Sequence, residues 1–527
     1  MMKPPPAPMM VPYVPTANPM GMNQRGLTRR IVTAAQGGVN RGHGFSPAGA
    51  RRLAPPYAPP PCTGPGEPLS FRPVVVSPDD PIFALATPAA SSALAVIRVS
   101  GAGSLGLLSA VVRGAGTPAE MRGHAMHYCS IWDGPEKVDE VMFAVYHAPH
   151  SYTGEEGAEI FCHGSLPVIR RLLSLLGRTG FRPAGPGEFT QRAFLNGRMD
   201  LTRAEAVNEI VQARTDRARA LALDRLGGAI EKRILAARGI LVDLKASLEV
   251  MMDAPDDEPG GGDSGDAVDE SLLDRAAASL EGLTSTFRHG RIYQEGATVA
   301  IAGPTNAGKS RLFNALLRED RAIVSDVHGT TRDWLESPFS VDGIPVRLLD
   351  TAGLRATSDP LESEGMRRTE EILRGADAVI YVLDGTAGLG PGDDGRLGGW
   401  AGPGALLKAW NKSDLPGFLP APAGFLPVSA ATGKGLGNLQ ASLAEALLGG
   451  RALQAGEPLI DSARQRDLLS RALAAIARFR DAREAGVTPD LLAVDLADAL
   501  DALGEITGEV TTAEILENMF SRFCVGK

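Results

Sequence analysis

The sequence predicts a multidomain α/β plus α protein: an N-terminal α+β domain, a helical domain contributed by two flanks, and a Ras-like P-loop α/β domain inserted between them. Three observations predict it. Short apolar runs separated by turn residues crowd between Pro81 and Leu195. Apolar stripes at helical spacing lie on either side of residues 297–448. Within that span strands and helices alternate, as in a parallel sheet.

The chain has 527 residues, enough for two to four domains. Its hydrophobic fraction of 44% and charged fraction of 22% are those of a globular protein. No uninterrupted apolar run is long enough to cross a membrane. The cysteines Cys62, Cys129, Cys162 and Cys524 form neither a CxxC pair nor zinc spacing, which reads as a reducing compartment. Net charge is −9. The body after residue 78 is more acidic still, because residues 1–78 are basic. That argues against tight, nonspecific nucleic-acid binding and leaves room for a local basic patch.

Residues 1–78 are rich in Pro, Gly and Ala and lack sustained periodicity, which predicts a disordered extension. An overlong gene start, a solvated tail and a cleaved transit peptide are all open readings. They give a cytoplasmic location first and a mitochondrial one as the alternative. The N-terminal domain is placed at 79–196. Its expected strands are Ile82–Ala86, Leu94–Val99, Val138–Tyr146 and Glu159–Cys162, with a helix over Leu166–Leu176. The helical domain takes 197–294 and 451–527. Ile230, Ile234, Leu241, Leu244 and Leu248 form one stripe; Leu468, Leu469, Leu473, Ile476 and Phe479 form another. Two independent helical modules remain the rival arrangement. Asp256–Asp266 reads as a mobile loop, and helix is expected over Ser271–Arg291.

The inserted domain, 295–450, carries the chemistry. The apolar strand Thr298–Ala302 runs into Gly303-Pro304-Thr305-Asn306-Ala307-Gly308-Lys309-Ser310, a GxxxxGK[ST] loop followed by helix from Arg311. Its glycines let backbone N–H groups wrap phosphates, Lys309 reaches the β- and γ-phosphates, and Ser310 binds Mg²⁺. Thr330 and Thr331 lie in a switch-like Gly329–Asp333 segment, where Thr331 can meet Mg²⁺ and the γ-phosphate. Asp350-Thr351-Ala352-Gly353 ends the strand Val346–Leu349, with Asp350 beside Mg²⁺ and the Gly353 N–H sensing the γ-phosphate. Asn411-Lys412-Ser413-Asp414 is a base reader whose Asp414 carboxylate accepts from guanine N1 and N2, donors that adenine lacks. Ser429-Ala430 fits the loop at guanine O6. The ordered set predicts GTP as ligand. Leu354 stands where Ras-like enzymes carry a water-orienting Gln. Carboxylates at Glu362 and Glu364 follow, with surface solvation as the alternative for Glu364.

From Pro81 to Lys527 the chain resembles the MnmE (TrmE) family of tRNA-modification GTPases. The carrying segments are Ala86-Thr87-Pro88, Ile97–Gly101, Tyr152–Glu155, Cys162-His163-Gly164, Pro186–Phe189, Arg192–Leu201, Ala204-Glu205-Ala206, the nucleotide motifs and Phe523–Lys527. The resemblance implies a homodimer through N-terminal domains that bind 5-formyl- or 5,10-methylene-tetrahydrofolate. It implies a flavoprotein partner, MnmG, in a heterotetramer, and tRNA whose wobble uridine is modified at C5. It carries folate contacts to Arg98, Glu159, Arg198 and Lys527, and K⁺ contacts to Asn306, Ser325, Val327 and Thr330. It makes Glu362 the catalytic acid and places Cys524 at the modification centre. Arg198 and Ser325 stand where the family often has Lys and Thr, and Pro88–Ala93 departs from the family's Gly-rich loop. Read alone, Arg98 is open to an ordinary interdomain salt bridge, Glu159 to an exposed strand position, and His163, Cys162 and Cys524 to structural roles. A ribosome-docking or membrane-docking switch, and a folate module with a vestigial GTPase, are the rival functions. A switch needs neither a folate pocket nor the terminal Cys-Val-Gly-Lys.

Overall fold

The computed structural model describes residues 80–114, 116–253, 269–321, 339–350, 373–390, 404–449 and 456–527. Two compact units divide the chain. The first is N-terminal, ends at Ala184 and also includes Arg192–Arg198; the second holds Gly185–Gln191 and everything from Met199.

The first unit is a seven-stranded sheet with helices on one face. Its strands are β1 (Ile82–Leu85), β2 (Leu94–Ser100), β3 (Val112–Gly114), β4 (Met126–Asp133), β5 (Glu136–Tyr146), β6 (Gly157–His163) and β7 (Arg182–Pro183), in the order β3-β4-β5-β6-β2-β1-β7. Helices α1 (Ser104–Leu108) and α2 (Leu166–Arg178) supply Leu105, Leu108, Ile169, Leu172, Leu175 and Leu176 to its core. Alternation sends Ile97, Val99, Phe143, Val145, Ile160 and Cys162 to the same core. Burial pushes the Cys162 thiol up to about 11, as expected of a packing residue. Strands β3 and β4 and helix α1 lie beyond the sequence expectation. Tyr128 on β4 and Met142 on β5 are cross-strand partners, and both are exposed, as are Met126 and Leu94.

Helix α3 (Glu188–Leu195) follows. In the second unit come α4 (Leu201–Gln212), α5 (Asp216–Leu226), α6 (Ala229–Asp253), α7 (Glu270–Ser285) and α8 (Phe287–Glu295). Local capping sets the starts: the Asp200 carboxylate accepts from Thr202 and Arg203 N–H groups, Thr215 accepts from the Ala218 N–H, and Asp269 accepts from the Ser271 N–H. The helix expected over Ser271–Arg291 is broken at Thr286. The Thr286 hydroxyl donates to Leu283 O at 2.6 Å and accepts from the Ile460 N–H at 3.1 Å, tying the break to the returning chain.

The inserted domain has β8 (Ala297–Ala302), α9 (Lys309–Arg321), β9 (Phe339–Val341), β10 (Ile344–Asp350), β11 (Ala378–Asp384), β12 (Ala405–Asn411), β13 (Phe425–Pro427) and α10 (Leu436–Leu448). Its sheet order is β13-β12-β11-β8-β10-β9, parallel apart from β9. The chain goes first to one side of β8 and then to the other. The C-terminal ends of β8, β10 and β11 therefore open a crevice at a topological switch point. Helices α11 (Ala463–Glu484), α12 (Pro489–Thr507) and α13 (Ala513–Phe520) complete the unit. Ile230, Ile234, Leu241, Leu244 and Leu248 share one core with Leu469, Ile476, Phe479, Leu496 and Leu503. Residues of both flanks thus share one core.

Where the chain returns from the inserted domain, a charged cluster is buried. The Arg225 guanidinium bonds both the Glu209 and Asp461 carboxylates, with 2% of its side chain exposed. Arg464 pairs with Glu205 at 2.9 Å, and Gln465 donates to the other oxygen of that carboxylate. Three carboxyls thus face two guanidinium groups. Burial, opposed by Arg225 and reinforced by the neighbouring carboxylates, pushes Glu209 up to about 8.

The end of the chain packs back on the Pro186-Gly187 segment. Pro186 bridges Val525, and the Gly187 N–H donates to Cys524 O at 3.3 Å. Gly187 has φ 64, and a Cβ there would lie 2.9 Å from the Phe523 side chain, so this close approach requires glycine.

Candidate functional site

The phosphate loop is shaped by positions that reject a side chain or a right-handed backbone. Gly303 has φ 141, and a Cβ there would lie 2.1 Å from Val382 O; Asn306 has φ 64. Gly308 has φ 97, and its Cβ would lie 2.3 Å from Asn411 Nδ2. Lys309 opens α9, and its ammonium donates to Gly303 O at 3.0 Å and Pro304 O at 2.7 Å, closing the loop on itself. Ser310 Oγ donates to Asp350 Oδ2 at 2.9 Å, bringing together the two hard-oxygen groups expected at Mg²⁺. Ala307 is buried and Arg311 is exposed on the first turn of α9.

The residues expected to read the base meet the same loop. Asn411, buried at the end of β12, donates to Ala307 O at 2.8 Å and accepts from the Ala430 N–H at 3.0 Å. One amide thus ties the phosphate loop to the Ser429-Ala430 turn. Ser429 Oγ donates to Asp414 Oδ1 at 2.6 Å and accepts from the Ala431 and Thr432 N–H groups. This fixes the Asp414 carboxylate. Lys412, with φ 71, pairs with Asp384 at 2.6 Å. Asp384 was not singled out from sequence. It ends the apolar strand β11 just as Asp350 ends β10, and that shared pattern is the signal that could have found it.

Asn306, Ala307, Gly308, Lys309, Ser310, Asp350, Asn411, Lys412, Asp414, Ser429 and Ala430 therefore converge around one crevice. Ser325, Val327, Thr330, Thr331, Thr351, Ala352, Gly353, Leu354, Glu362 and Glu364 lie outside the described residues, as do the 1–78 extension and the Asp256–Asp266 segment.

In the first unit, Arg98 and Glu159 face each other across β2 and β6 and form a salt bridge at 2.7 Å. The pair lies within one unit, so the interdomain reading of Arg98 is replaced by an intradomain one. Tyr146 Oη donates to the other Glu159 oxygen at 3.3 Å, and the Arg98 guanidinium sits 5.9 Å from the Tyr152 ring centre. Burial first, then the Glu159 charge, raises the Tyr146 phenol. Tyr146 and Tyr152 line a cavity of about 630 Å³ with His124, His147, His150 and Arg198. The cavity histidines, like Asp384, were missed from sequence. Arg198 is held near the Tyr152–Glu155 turn, where a Cβ on Gly154 would lie 3.5 Å from its stem. His163 Nδ1 is 2.7 Å from Asp139 Oδ1, and the backbone N–H of His163 donates to Oδ2, a structural tether at the end of β6. Cys524 is exposed, and Lys527 lies in the second unit. Among the described residues no cluster of His, Cys, Asp and Glu is suited to a metal, and no helix is long and apolar enough to cross a membrane.

Comparison with known proteins follows the same division. The family described as GTP-binding protein TrmE N-terminus matches residues 81–198, and the MnmE helical domain family matches residues 201–524. The tRNA modification GTPase MnmE of Geobacter metallireducens is 41% identical over 458 residues, covering 85% of this chain and 99% of that protein. The proteins of the same name from Moorella thermoacetica and Thermus thermophilus are 42% and 41% identical over 85% of this chain, covering 100% and 99% of their own lengths. A solved G domain of the T. maritima FeoB iron transporter is similar over 28% of this chain and 97% of that one, at 24% identity and TM-score 0.20, too slight a likeness to argue from. Joined to the phosphate loop and base reader assembled above, these matches place the chain in the MnmE (TrmE) family of tRNA-modification GTPases.

Proposed function

We propose that this protein is a potassium-dependent GTP hydrolase. With a flavoprotein partner, MnmG, it places an aminomethyl or carboxymethylaminomethyl group on C5 of the wobble uridine of certain tRNAs, using a tetrahydrofolate one-carbon unit. The observation that carries the nucleotide half is the tether through Asn411, which holds phosphate loop and base reader as one preorganised surface. Preorganised donors need no reorganisation when charge develops on the phosphates. Backbone N–H groups of the Gly303–Gly308 loop, Pro304 excepted, would face those oxygens, and the Lys309 ammonium would turn to them from the Gly303 and Pro304 carbonyls that it bonds here. Ser310 and Asp350, with Thr331, would hold Mg²⁺, which would supply positive charge to the phosphate oxygens. Asp414 accepts from guanine N1 and N2.

Leu354 cannot orient water, so Glu362 takes that task, while Asn306, Ser325, Val327 and Thr330 would hold K⁺ where other GTPases use an arginine. Turnover is expected to fall at least tenfold when Na⁺ replaces K⁺ at matched ionic strength. Glu362→Ala is expected to cost roughly 10²-fold in kcat with unchanged nucleotide affinity. Equal turnover in both salts would remove the potassium claim, and an unchanged kcat would return Glu362 to the surface.

The folate half rests on the first-unit cavity. Beside it the Glu159 carboxylate, held by Arg98, suits the amino-pyrimidine donors of the pterin, while the two tyrosines offer flat apolar faces and Arg198 suits folate carboxylates. Lys527 enters by resemblance alone. The exposed Tyr128–Met142 pair and its apolar neighbours suit a homodimer formed through the N-terminal sheets. Glu159→Gln is expected to weaken 5-formyl-tetrahydrofolate binding at least tenfold, read by calorimetric titration, while GTP hydrolysis stays within twofold. Wild-type protein that does not bind the folate would defeat this half of the proposal.

A further inference from the structure

Two residues outside the motif set, Asp384 and Gly385, bond the base-reading loop. The turn Asp384-Gly385-Thr386 follows β11, in register with the end of β12: Asp384 lies opposite Asn411. The turn is stitched to the loop through backbone. The Gly385 N–H donates to Asn411 O at 2.8 Å, and the Leu419 N–H donates to Gly385 O at 2.9 Å. Leu419 is itself held from the other side, where the indole N–H of the buried Trp410 donates to Leu419 O at 3.0 Å. The approach leaves no room at residue 385: a Cβ on Gly385 would lie 2.4 Å from the Phe418 ring and 2.8 Å from Asn411 O.

Within this frame the Asp384 carboxylate is spoken for at both oxygens. Oδ1 accepts from the Thr386 N–H at 3.0 Å and the Thr386 hydroxyl at 2.7 Å. Oδ2 accepts from the Lys412 ammonium at 2.6 Å. Thr386 thus sets the direction in which the carboxylate points, and the carboxylate sets the end of the Lys412 side chain. Lys412 occupies a left-handed backbone position (φ 71) two residues before Asp414, so its main chain is strained while its tip is anchored. Both partners are about three-quarters buried, where a charge-assisted hydrogen bond is worth more than on open surface. Burial alone would push the Asp384 carboxyl up; the Lys412 and Thr386 hydrogen bonds outweigh it and hold it below the usual carboxylate value.

We infer that Asp384 is a positioning residue for guanine-nucleotide recognition, acting through Lys412, with Thr386 orienting its carboxylate. The inference rests on the guanine reading of the site and adds a residue pair to it. A lysine side chain with several free torsions loses rotamer entropy when nucleotide binds. Asp384 removes that freedom beforehand and so preorganises the loop. Phosphate contacts and the attack on the γ-phosphate are untouched, so the effect belongs in affinity.

The test uses the full chain with Mg²⁺ and a fluorescent GDP analogue. Asp384→Asn keeps the shape and removes the charge. It is expected to weaken GDP binding and raise the KM for GTP by roughly tenfold, the size of one charged hydrogen bond, with kcat within twofold. Lys412→Gln is expected to lose as much or more, and the Asp384→Asn, Lys412→Gln double variant no more than Lys412→Gln alone. Thr386→Val, which removes only the orienting hydroxyl, is expected to show a smaller loss of the same kind and covers the case in which Asp384→Asn fails to fold. Additive losses in the double variant, or unchanged GDP affinity in both Asp384→Asn and Thr386→Val, would overturn the inference. Wild type binding ADP as tightly as GDP would instead overturn the guanine reading beneath it.

Discussion

Asp414→Asn is expected to lower GTP affinity by roughly 10²- to 10⁴-fold and to improve binding of xanthosine triphosphate. On the proposed reading the carboxylate accepts two hydrogen bonds from guanine, and hydrogen bonds to a charged group each contribute about 1.5–3 kcal/mol. The asparagine amide can accept one bond and must donate the other, a pattern that suits the carbonyl of xanthine. Ser429 Oγ donates to the Asp414 carboxylate at 2.6 Å, and asparagine keeps an oxygen for it, so the turn should survive the substitution. Competition between GTP and xanthosine triphosphate for the variant reads the switch directly. A variant that retained wild-type preference would mean that the base is read elsewhere.

The second large effect concerns the buried cluster beneath the inserted domain. Arg225→Met is expected to destabilise the helical body by roughly 3–5 kcal/mol, because it leaves Glu209 and Asp461 buried without their cation. Its urea unfolding midpoint should fall accordingly. Glu209→Gln should behave in the opposite sense. The folded-state value of Glu209, about 8, lies above its unfolded value. Its contribution is therefore fully present below the unfolded value and is lost as pH rises through about 8. Wild type should lose stability between about pH 5 and 8, and Glu209→Gln should flatten that slope and unfold later at pH 9. A wild-type midpoint that rose over this range, or an Arg225→Met protein as stable as wild type, would contradict the account of three carboxyls facing two cations.

Contiguous motifs were legible in the sequence because each dictates its own backbone. Gly303, Gly308, Lys309 and Ser310 form a loop whose shape is local, and Asn411 to Asp414 lie on one strand end. The helical stripes were legible for the same reason: Ile230 to Leu248 keep one period on one helix, and every member is buried. What escaped was set by distance in the chain. Arg225 and Asp461 are 236 residues apart, and neither carries a local pattern that announces burial. Strand β4, Met126–Asp133, mixes His, Tyr, Ser and Trp with its buried Cys129 and Ile131, so its alternation is masked. Asp384 meets Lys412 only because β11 and β12 lie side by side in register. The cavity around Arg198 depends on the Tyr152–Glu155 turn meeting the end of α3, again a tertiary event.

Nucleoside analysis of tRNA reads whether the nucleotide site serves tRNA modification. Total tRNA would be digested from cells lacking this protein, from the same cells given the wild-type gene back, and from cells given Asp414→Asn. Wobble uridine is expected to lose its C5 aminomethyl-type substituent in the first sample, to regain it in the second and to stay largely unmodified in the third. An unchanged nucleoside profile in cells lacking the protein would contradict that role.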